Sequence, residues 1–191
     1  MPNETEVKLP MRDLMPLNKT DLKVYEVTPR HFEDNWLLDT PQFDLRGHGT
    51  ALRVRFANGT GTVTYKGPAQ AEQSFKVREE IESQISDPDA MLEIFQRLGY
   101  LKKFRYQKYR TVMRIDLPDG RSLHAMFDET PIGNFLELEG EKEEILAIAD
   151  RLGFKPEDFI TLSYVALQYN YCQAMRQPLS DMVFSSGEAS T

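Results

Sequence analysis

The sequence predicts a mostly antiparallel α+β fold whose sheet carries charges of both signs on one face. Three observations predict it. Segments of strand character joined by hairpin signals outnumber helical ones. Five of those segments place ionisable residues at every second position, and the period of two in a strand sets such residues on one face. They are Glu4, Glu6 and Lys8; Arg53 and Arg55; Arg78, Glu80 and Glu82; Lys108 and Arg110; and Glu137 and Glu139. The alternating positions include Val7, Leu52, Val54, Val63, Tyr65, Val77, Ile81, Tyr109, Leu123, Leu136 and Leu138. Their apolar character puts the hydrophobic layer outside the sheet, beneath the helices, and leaves the charges pointing into a polar barrel or groove.

Taken in order, Glu4 to Leu9 is the first strand, and the connection from Pro10 to Lys19 has room for a turn or two of helix at most. Leu22 to Val27 reads as a strand and, after Pro29, Asn35 to Asp39 as another. Asp39 to Gly49 is rich in turn formers and reads as a structured loop. Ala51 to Phe56 and Thr62 to Lys66 form a hairpin about Asn58-Gly59. Ala69 to Ser74 reads as a loop and Phe75 to Ile85 as a long strand. Asp87-Pro88 supplies an N-cap and a first-turn proline for a helix carrying Met91, Leu92, Phe95 and Leu98 and closed by Gly99. Strands follow at Arg105 to Leu117, Ser122 to Asp128 and Phe135 to Glu139. A second helix spans Glu141 to Leu152 with Ile145, Ile148, Ala149 and Leu152 on its buried stripe, and a last helix spans Thr161 to Arg176. Residues 1–178 are expected to form one domain, with 179–191 a tail that frays.

Composition narrows the function classes. Apolar residues at 40% and charged residues at 28% are those of a globular chain. No apolar run approaches the roughly 20 residues of a membrane-spanning helix, and no signal-peptide pattern opens the sequence. A cytoplasmic protein without a membrane partner is expected. One cysteine and three histidines provide no zinc site of the usual spacing, so any metal must be held by carboxylates, which favours Mg²⁺ or Mn²⁺. A net charge of −7 argues against a nucleic-acid partner, which needs a broad basic face.

An inward charged face carries a cost. Buried ions must be solvated, paired or met by a ligand. One reading is an internal ion-pair network that only fixes strand register. The other is a ligand site, in which the cations bind a dense anion while the carboxylates reach the same anion through a divalent metal.

The segments that carry this pattern resemble a known family. The Glu-x-Glu-x-Lys of Glu4, Glu6 and Lys8 is followed by LLDTPQFDLRGHGTALRVR, VTYKGP, REEIE, KYRTV, FDETPIGNFLELEG and SYVAL. Together they are similar to the CYTH superfamily, the triphosphate tunnel metalloenzymes, which includes class IV adenylyl cyclase, thiamine triphosphatase and inorganic triphosphatases. The resemblance implies an eight-stranded antiparallel β tunnel, a closed barrel with a charged interior and helices packed outside. It implies a triphosphate site at Lys8, Arg53, Arg55, Lys66, Lys108 and Arg110. It implies divalent metal, Mg²⁺ or Mn²⁺, at Glu4, Glu6, Glu137, Glu139 and Asp128, with Asp128, Glu80 and Glu82 holding a second metal or orienting water. Catalytic roles fall on Lys8, Arg53, Arg55, Glu80, Glu82 and Asp128. Alternation adds Arg78 and Arg114 as phosphate contacts and places His124 inward.

Three functions remain open at this level. The first is metal-dependent hydrolysis of inorganic triphosphate, thiamine triphosphate or a nucleoside triphosphate. The second is cyclisation of ATP to cyclic AMP and pyrophosphate, which needs an adenine pocket for which Phe43, His48, Phe56, Tyr65 and Tyr106 are the aromatic candidates. The third is polyphosphate binding without turnover. The expected partner is a small-molecule triphosphate, and the expected assembly a monomer or homodimer.

Overall fold

The computed structural model describes residues 3–71 and 74–185. Its strands are β1 (Asn3–Pro10), β2 (Lys23–Asp39), β3 (Ala51–Ala57), β4 (Thr60–Lys66), β5 (Gln70–Ala71), β6 (Lys76–Ile85), β7 (Leu101–Asp116), β8 (Ser122–Thr130) and β9 (Gly133–Glu139). Its helices are α1 (Asp44–Gly47), α2 (Pro88–Arg97), α3 (Lys142–Arg151) and α4 (Tyr164–Ala174). The sheet runs β1-β9-β8-β7-β2-β3-β4-β6, and antiparallel pairing of β1 with β6 closes it. The two-residue β5 only adds to the edge of β6. The result is the expected closed eight-stranded antiparallel barrel with helices outside.

Closure requires each strand to bury one face outward under helices and to leave the other lining the interior. Helix α3 lays Ile145, Ile148 and Ala149 over Val7, Leu136, Leu138, Leu123, Ala125 and Ile115. Its start is fixed by a capping box between Glu141 and Glu144. Helix α2 places Leu92 against Leu38 and Val54, with Asp87 accepting from the Ala90 amide at 2.9 Å. The close approach of α2 to β4 requires Gly61, where a Cβ would stand 2.7 Å from Pro88.

Several readings are corrected. Leu22 to Val27 and Asn35 to Asp39 are not two strands but the ends of β2, a single 17-residue strand pairing with β7. Pro29, read as a break, lies in a bulge: Thr28 pairs with Val112 and His31 with Arg110, leaving one extra residue on β2. A bulged residue has no ladder bond to donate, so proline is accommodated there. The loop after Asp39 holds the short α1, whose amides at Leu45 and Arg46 donate to the Asp39 carboxylate at 2.9 and 3.0 Å. Tyr65 and Ile81 face outward as expected but no helix covers them, and they are 36% and 46% exposed. Leu98, placed on the buried stripe of the first helix, is 69% exposed.

The chain does not fray directly after Pro178. Strand β8 pairs with β7 only from Tyr109 onward, which leaves the earlier part of β7 without a partner on that edge. The segment 179–184 docks there. Met182 exchanges backbone bonds with Arg105 and Gln107 at 3.0 and 2.8 Å and is 1% exposed. Asp181 accepts from the Arg105 amide at 2.8 Å, and Gln168 of α4 donates to the Ser180 carbonyl at 3.2 Å. The rest of the expected fraying tail, residues 186–191, lies outside the described residues. Among the described residues, no helix is long and apolar enough to cross a membrane.

Candidate functional site

The barrel interior is a cavity of about 470 Å³. Lys8, Arg53, Arg55, Lys66, Lys108 and Arg110 all line it, as do Glu4, Glu6, Glu80, Glu82, Glu137 and Glu139. Asp128 sits just behind this surface, fully buried. Strand register brings the charges face to face. Glu6 pairs with Glu139 and Lys8 with Glu137 between β1 and β9, and Lys66 pairs with Glu80 between β4 and β6.

Asp128 organises the β7 wall. Its Oδ1 accepts from Arg110 Nε at 2.6 Å, and its Oδ2 accepts from Arg110 Nη2 at 2.6 Å, Lys108 Nζ at 2.7 Å and Tyr164 Oη at 2.6 Å. Arg110 also donates to Glu137, whose other oxygen lies 3.2 Å from Lys8 Nζ. Burial pushes the Arg110 and Lys8 pKa values down. Asp128 and Glu137 outweigh it at Arg110, and Glu137 and Glu6 outweigh it at Lys8, so both stay firmly protonated. Burial would raise Glu137, yet Lys8, Arg110 and Lys108 hold it well below the usual carboxylate range. Burial would raise Glu6 too, but Lys8 and Lys76 hold it down to about 2.

Glu4 and Glu139 behave oppositely. Burial, then the charges of Glu80 and Glu139, push the Glu4 carboxyl up to about 8. Burial, then Glu6, Glu137 and Glu80, raise Glu139. Like-charged carboxylates gathered in a low-dielectric site repel one another, and a cation relieves that repulsion. Among the described residues no three such groups already form a metal cage. The donor chemistry nonetheless fits a hard divalent cation: carboxylate oxygens, mutually repelling, beside a cationic wall.

On the β3 wall, Arg53 donates to Thr64 Oγ1 at 2.9 Å, and Thr64 donates to Glu82 at 2.9 Å. Arg55 donates to Asn35 at 3.0 Å and lies 3.0 Å from Glu33. Glu82 is half exposed at the rim, its side chain 52% accessible.

The structure adds residues that the sequence reading passed over. Glu33 is 2% exposed between Arg55 and Lys108, and Oε2 has no hydrogen-bond partner among the described residues. His31 lies beside it, with Nε2 3.6 Å from Glu33 and Nδ1 2.8 Å from the Pro29 carbonyl. Lys76 pairs with Glu6. Tyr164, at the start of α4, caps one end of the cavity with its ring 5.3 Å from Lys8 Nζ and 5.0 Å from Lys108 Nζ. Tyr106 accepts from Arg53 at 3.4 Å and stacks on Tyr164 with centroids 5.7 Å apart. Lys76 was legible as one more step of the alternation at Arg78, Glu80 and Glu82. Tyr164 was not, because it reaches the interior from a helix.

Six assignments fail to reach the tunnel. Arg114 pairs with Asp116 at 2.9 Å with its side chain half exposed, and His124, its partner across β7 and β8, is exposed. Both have the expected face but lie beyond the mouth. Of the aromatic candidates only Tyr106 lines the cavity. Phe56 packs with the α2 cluster, Tyr65 is outside, and Phe43 and His48 are exposed around α1.

A closed antiparallel barrel with facing cationic and carboxylate walls defines a charged β tunnel. The family model of the CYTH domain matches residues 2–163, and the chain belongs to the CYTH family, whose members include triphosphatases and adenylyl cyclases. Its triphosphate tunnel enzymes depend on metal. A relative from Methanocaldococcus jannaschii, named "Putative adenylate cyclase MJ0240", is 29% identical over 177 residues, covering 86% of this chain and 98% of its own. Among solved structures, the PH1819 protein of Pyrococcus horikoshii superposes with a TM-score of 0.68 at 26% identity, covering 88% of this chain and 99% of that one. The Hippeastrum protein HpAC1, described as having a dominant triphosphatase activity, has a TM-score of 0.58 at 19% identity and covers 94% and 98% of the two chains, a likeness of fold.

Proposed function

We propose that the protein is a divalent-metal-dependent triphosphatase, with inorganic triphosphate the simplest substrate its lining suits. The observation that carries the choice of hydrolysis concerns the aromatic side chains. Among the described residues that line the tunnel, the ring-bearing side chains are His31, Tyr106 and Tyr164; His31 is held between Glu33 and the Pro29 carbonyl, and the two tyrosines are committed as well. They stack on each other, Tyr106 also stacks on Phe104, and their hydroxyls engage Arg53 and Asp128. A cyclase must hold an adenine and fix its ribose, and among the described residues that line the tunnel no free ring offers that platform. Cyclisation of ATP to cyclic AMP is the alternative, supported by the name of the Methanocaldococcus jannaschii relative.

In the triphosphatase reading, Lys8, Arg53, Arg55, Lys66, Lys108 and Arg110 bind the phosphoryl oxygens. Each already faces a carboxylate, so an incoming anion exchanges partners rather than creating a charged wall from nothing. Arg55 turns from Glu33 and Lys66 from Glu80. Asp128 stays bound behind the wall and keeps Lys108 and Arg110 aimed, the fixed electrostatics on which phosphoryl transfer relies. Glu4 and Glu139, with Glu6 and Glu137 beside them, would hold Mg²⁺ or Mn²⁺. When bound, that cation neutralises carboxylate and phosphate together and polarises phosphoryl oxygens. Glu82, at the half-exposed rim, would orient a water.

The test is to incubate the purified protein with Mg²⁺ or Mn²⁺ and either tripolyphosphate or ATP, resolving the products. Orthophosphate from tripolyphosphate without cyclic AMP from ATP is expected. Cyclic AMP and pyrophosphate in equal amounts would replace this reading with the cyclase, and no product from either would favour binding without turnover.

A further inference from the structure

Strand β2 outruns one of its neighbours. It pairs with β7 from Lys23 to Asp39, but β3 meets its other edge only from Glu33 to Leu38. Among the described residues, no strand pairs with the edge from Lys23 to Phe32, and no loop bonds its backbone. An open edge presents amides and carbonyls to any further strand, and chains that stay monomeric blunt such edges with charge, proline or bulges. Pro29 and the bulges between Glu26 and His31 interrupt the middle of this one. Yet Val24, Tyr25, Val27 and Phe32 are all exposed along it. Apolar side chains gathered at the surface and flanked by charge mark a contact site.

The side chains on the outer face indicate what fits there. Directly opposed residues of paired strands share a face. Val24 and Glu26 stand opposite Ile115 and Met113, whose side chains pack outward with those of α3. Phe32 stands opposite Tyr109, and Arg30 lies over the same Tyr109 ring at 3.7 Å. The outer row therefore reads Val24, Glu26, Arg30, Phe32: apolar, acidic, basic, apolar. Reversed, that row is its own complement. Glu26 is exposed and makes no ion pair among the described residues. Arg30 uses only Nε on Glu129, at 2.8 Å, and its side chain is 43% exposed, so its Nη groups are left for a second carboxylate. Self-complementarity of one patch is what a two-fold interface between identical chains requires, because each residue then meets its counterpart twice. An unrelated partner would impose no such symmetry.

We propose that the protein forms a homodimer in which the open β2 edges of two copies meet antiparallel about a two-fold axis near Thr28. Glu26 then faces Arg30 of the partner subunit, and Val24 packs on Phe32 of the partner subunit, each contact made twice. The tunnel lies outside this interface, so the dimer holds two independent sites.

The experiment is sedimentation velocity of the full chain over a range of protein concentrations, with circular dichroism to confirm that each variant is folded. The wild type is expected to sediment as a dimer that dissociates on dilution. Glu26→Arg sets like charges opposite one another and should raise the dissociation constant about tenfold or more. Arg30→Glu should do the same, although it also loses its own Glu129, which makes Glu26→Arg the cleaner variant. The double exchange, Glu26→Arg with Arg30→Glu, faces opposite charges again and should recover most of the association. A wild type that stays monomeric at every concentration would overturn the proposal. So would a dimer that both single reversals leave intact, and so would a double exchange no better than either single one.

Discussion

The hydroxyl of Tyr164 donates to Oδ2 of Asp128 at 2.6 Å, the same oxygen that receives Lys108 and Arg110. A helix outside the barrel thereby holds the carboxylate that aims two tunnel cations. Tyr164→Phe keeps the ring stacked on Tyr106 and removes only this bond. Losing one hydrogen bond to a buried charge should lower stability by about 1–3 kcal/mol, or roughly 2–10 °C in melting temperature. Turnover should also fall, with substrate affinity less affected. Scanning calorimetry and steady-state kinetics check both.

Removing the charge itself should cost more. Asp128→Asn leaves Lys108 buried against Glu33 and Arg110 against Glu137, each having lost its pairing with Asp128. Breaking a buried ion pair from one side typically costs about 3–5 kcal/mol. Urea unfolding should show that loss, and tripolyphosphate should restore part of it by supplying the missing negative charge.

His31 predicts a pH dependence of stability. The Glu33 carboxylate beside it raises its pKa above the ordinary value of 6.5, and burial opposes this only in part. Its two ring nitrogens face two acceptors, Glu33 and the Pro29 carbonyl, so the imidazolium is the form that fits. The stabilisation is therefore complete below pH 6.5 and is lost as pH rises through the raised folded value. The wild-type melting temperature should fall above neutrality, and His31→Gln should flatten that fall. A wild-type curve level across that window would show the pair to be inconsequential.

Glu4 predicts proton-linked metal binding. With its carboxyl pushed up to about 8, much of it is protonated at neutral pH, and a cation must displace that proton. Mn²⁺ or Mg²⁺ affinity should rise with pH up to about 8 and release protons, measurable as a buffer-dependent binding enthalpy. Glu4→Gln should weaken binding and remove most of the proton release.

The segment after Pro178 should be required for stability. Truncation there removes Met182, worth about 1.5–3 kcal/mol of burial, and unpairs the Arg105 and Gln107 backbone. Thermal unfolding of the truncated chain should show a drop of several degrees.

Much of this architecture was legible because a closed barrel imposes a period of two on every strand, and inward charges made that period visible. The pattern gives a residue's face but not its depth, which is why Arg114 and His124 were placed in the tunnel when their strands run past its mouth. It does not reveal what covers the outer face either, so Tyr65 and Ile81 were assigned to a helix-covered layer that does not extend to them. Glu33 was missed because Pro29 suggested a break, and the bulge there shifts the register just before the residue. Tyr164 reaches the site from a helix, and Met182 packs in the cluster behind Tyr106 and Tyr164 from a docked terminal segment, where no strand period applies.

The seam between β1 and its partners also sets the order of assembly. β1 is made first, yet it pairs with β6 and with β9, and Lys8 further exchanges backbone bonds with Ile160. During synthesis β1 must therefore wait, its edge unpaired, until β9 and Ile160 have emerged. Contacts so distant in sequence slow folding and lengthen exposure to aggregation. The alternating charges of Glu4, Glu6 and Lys8, which later line the tunnel, keep that waiting strand hydrated on one face and act as a built-in guard for the nascent chain.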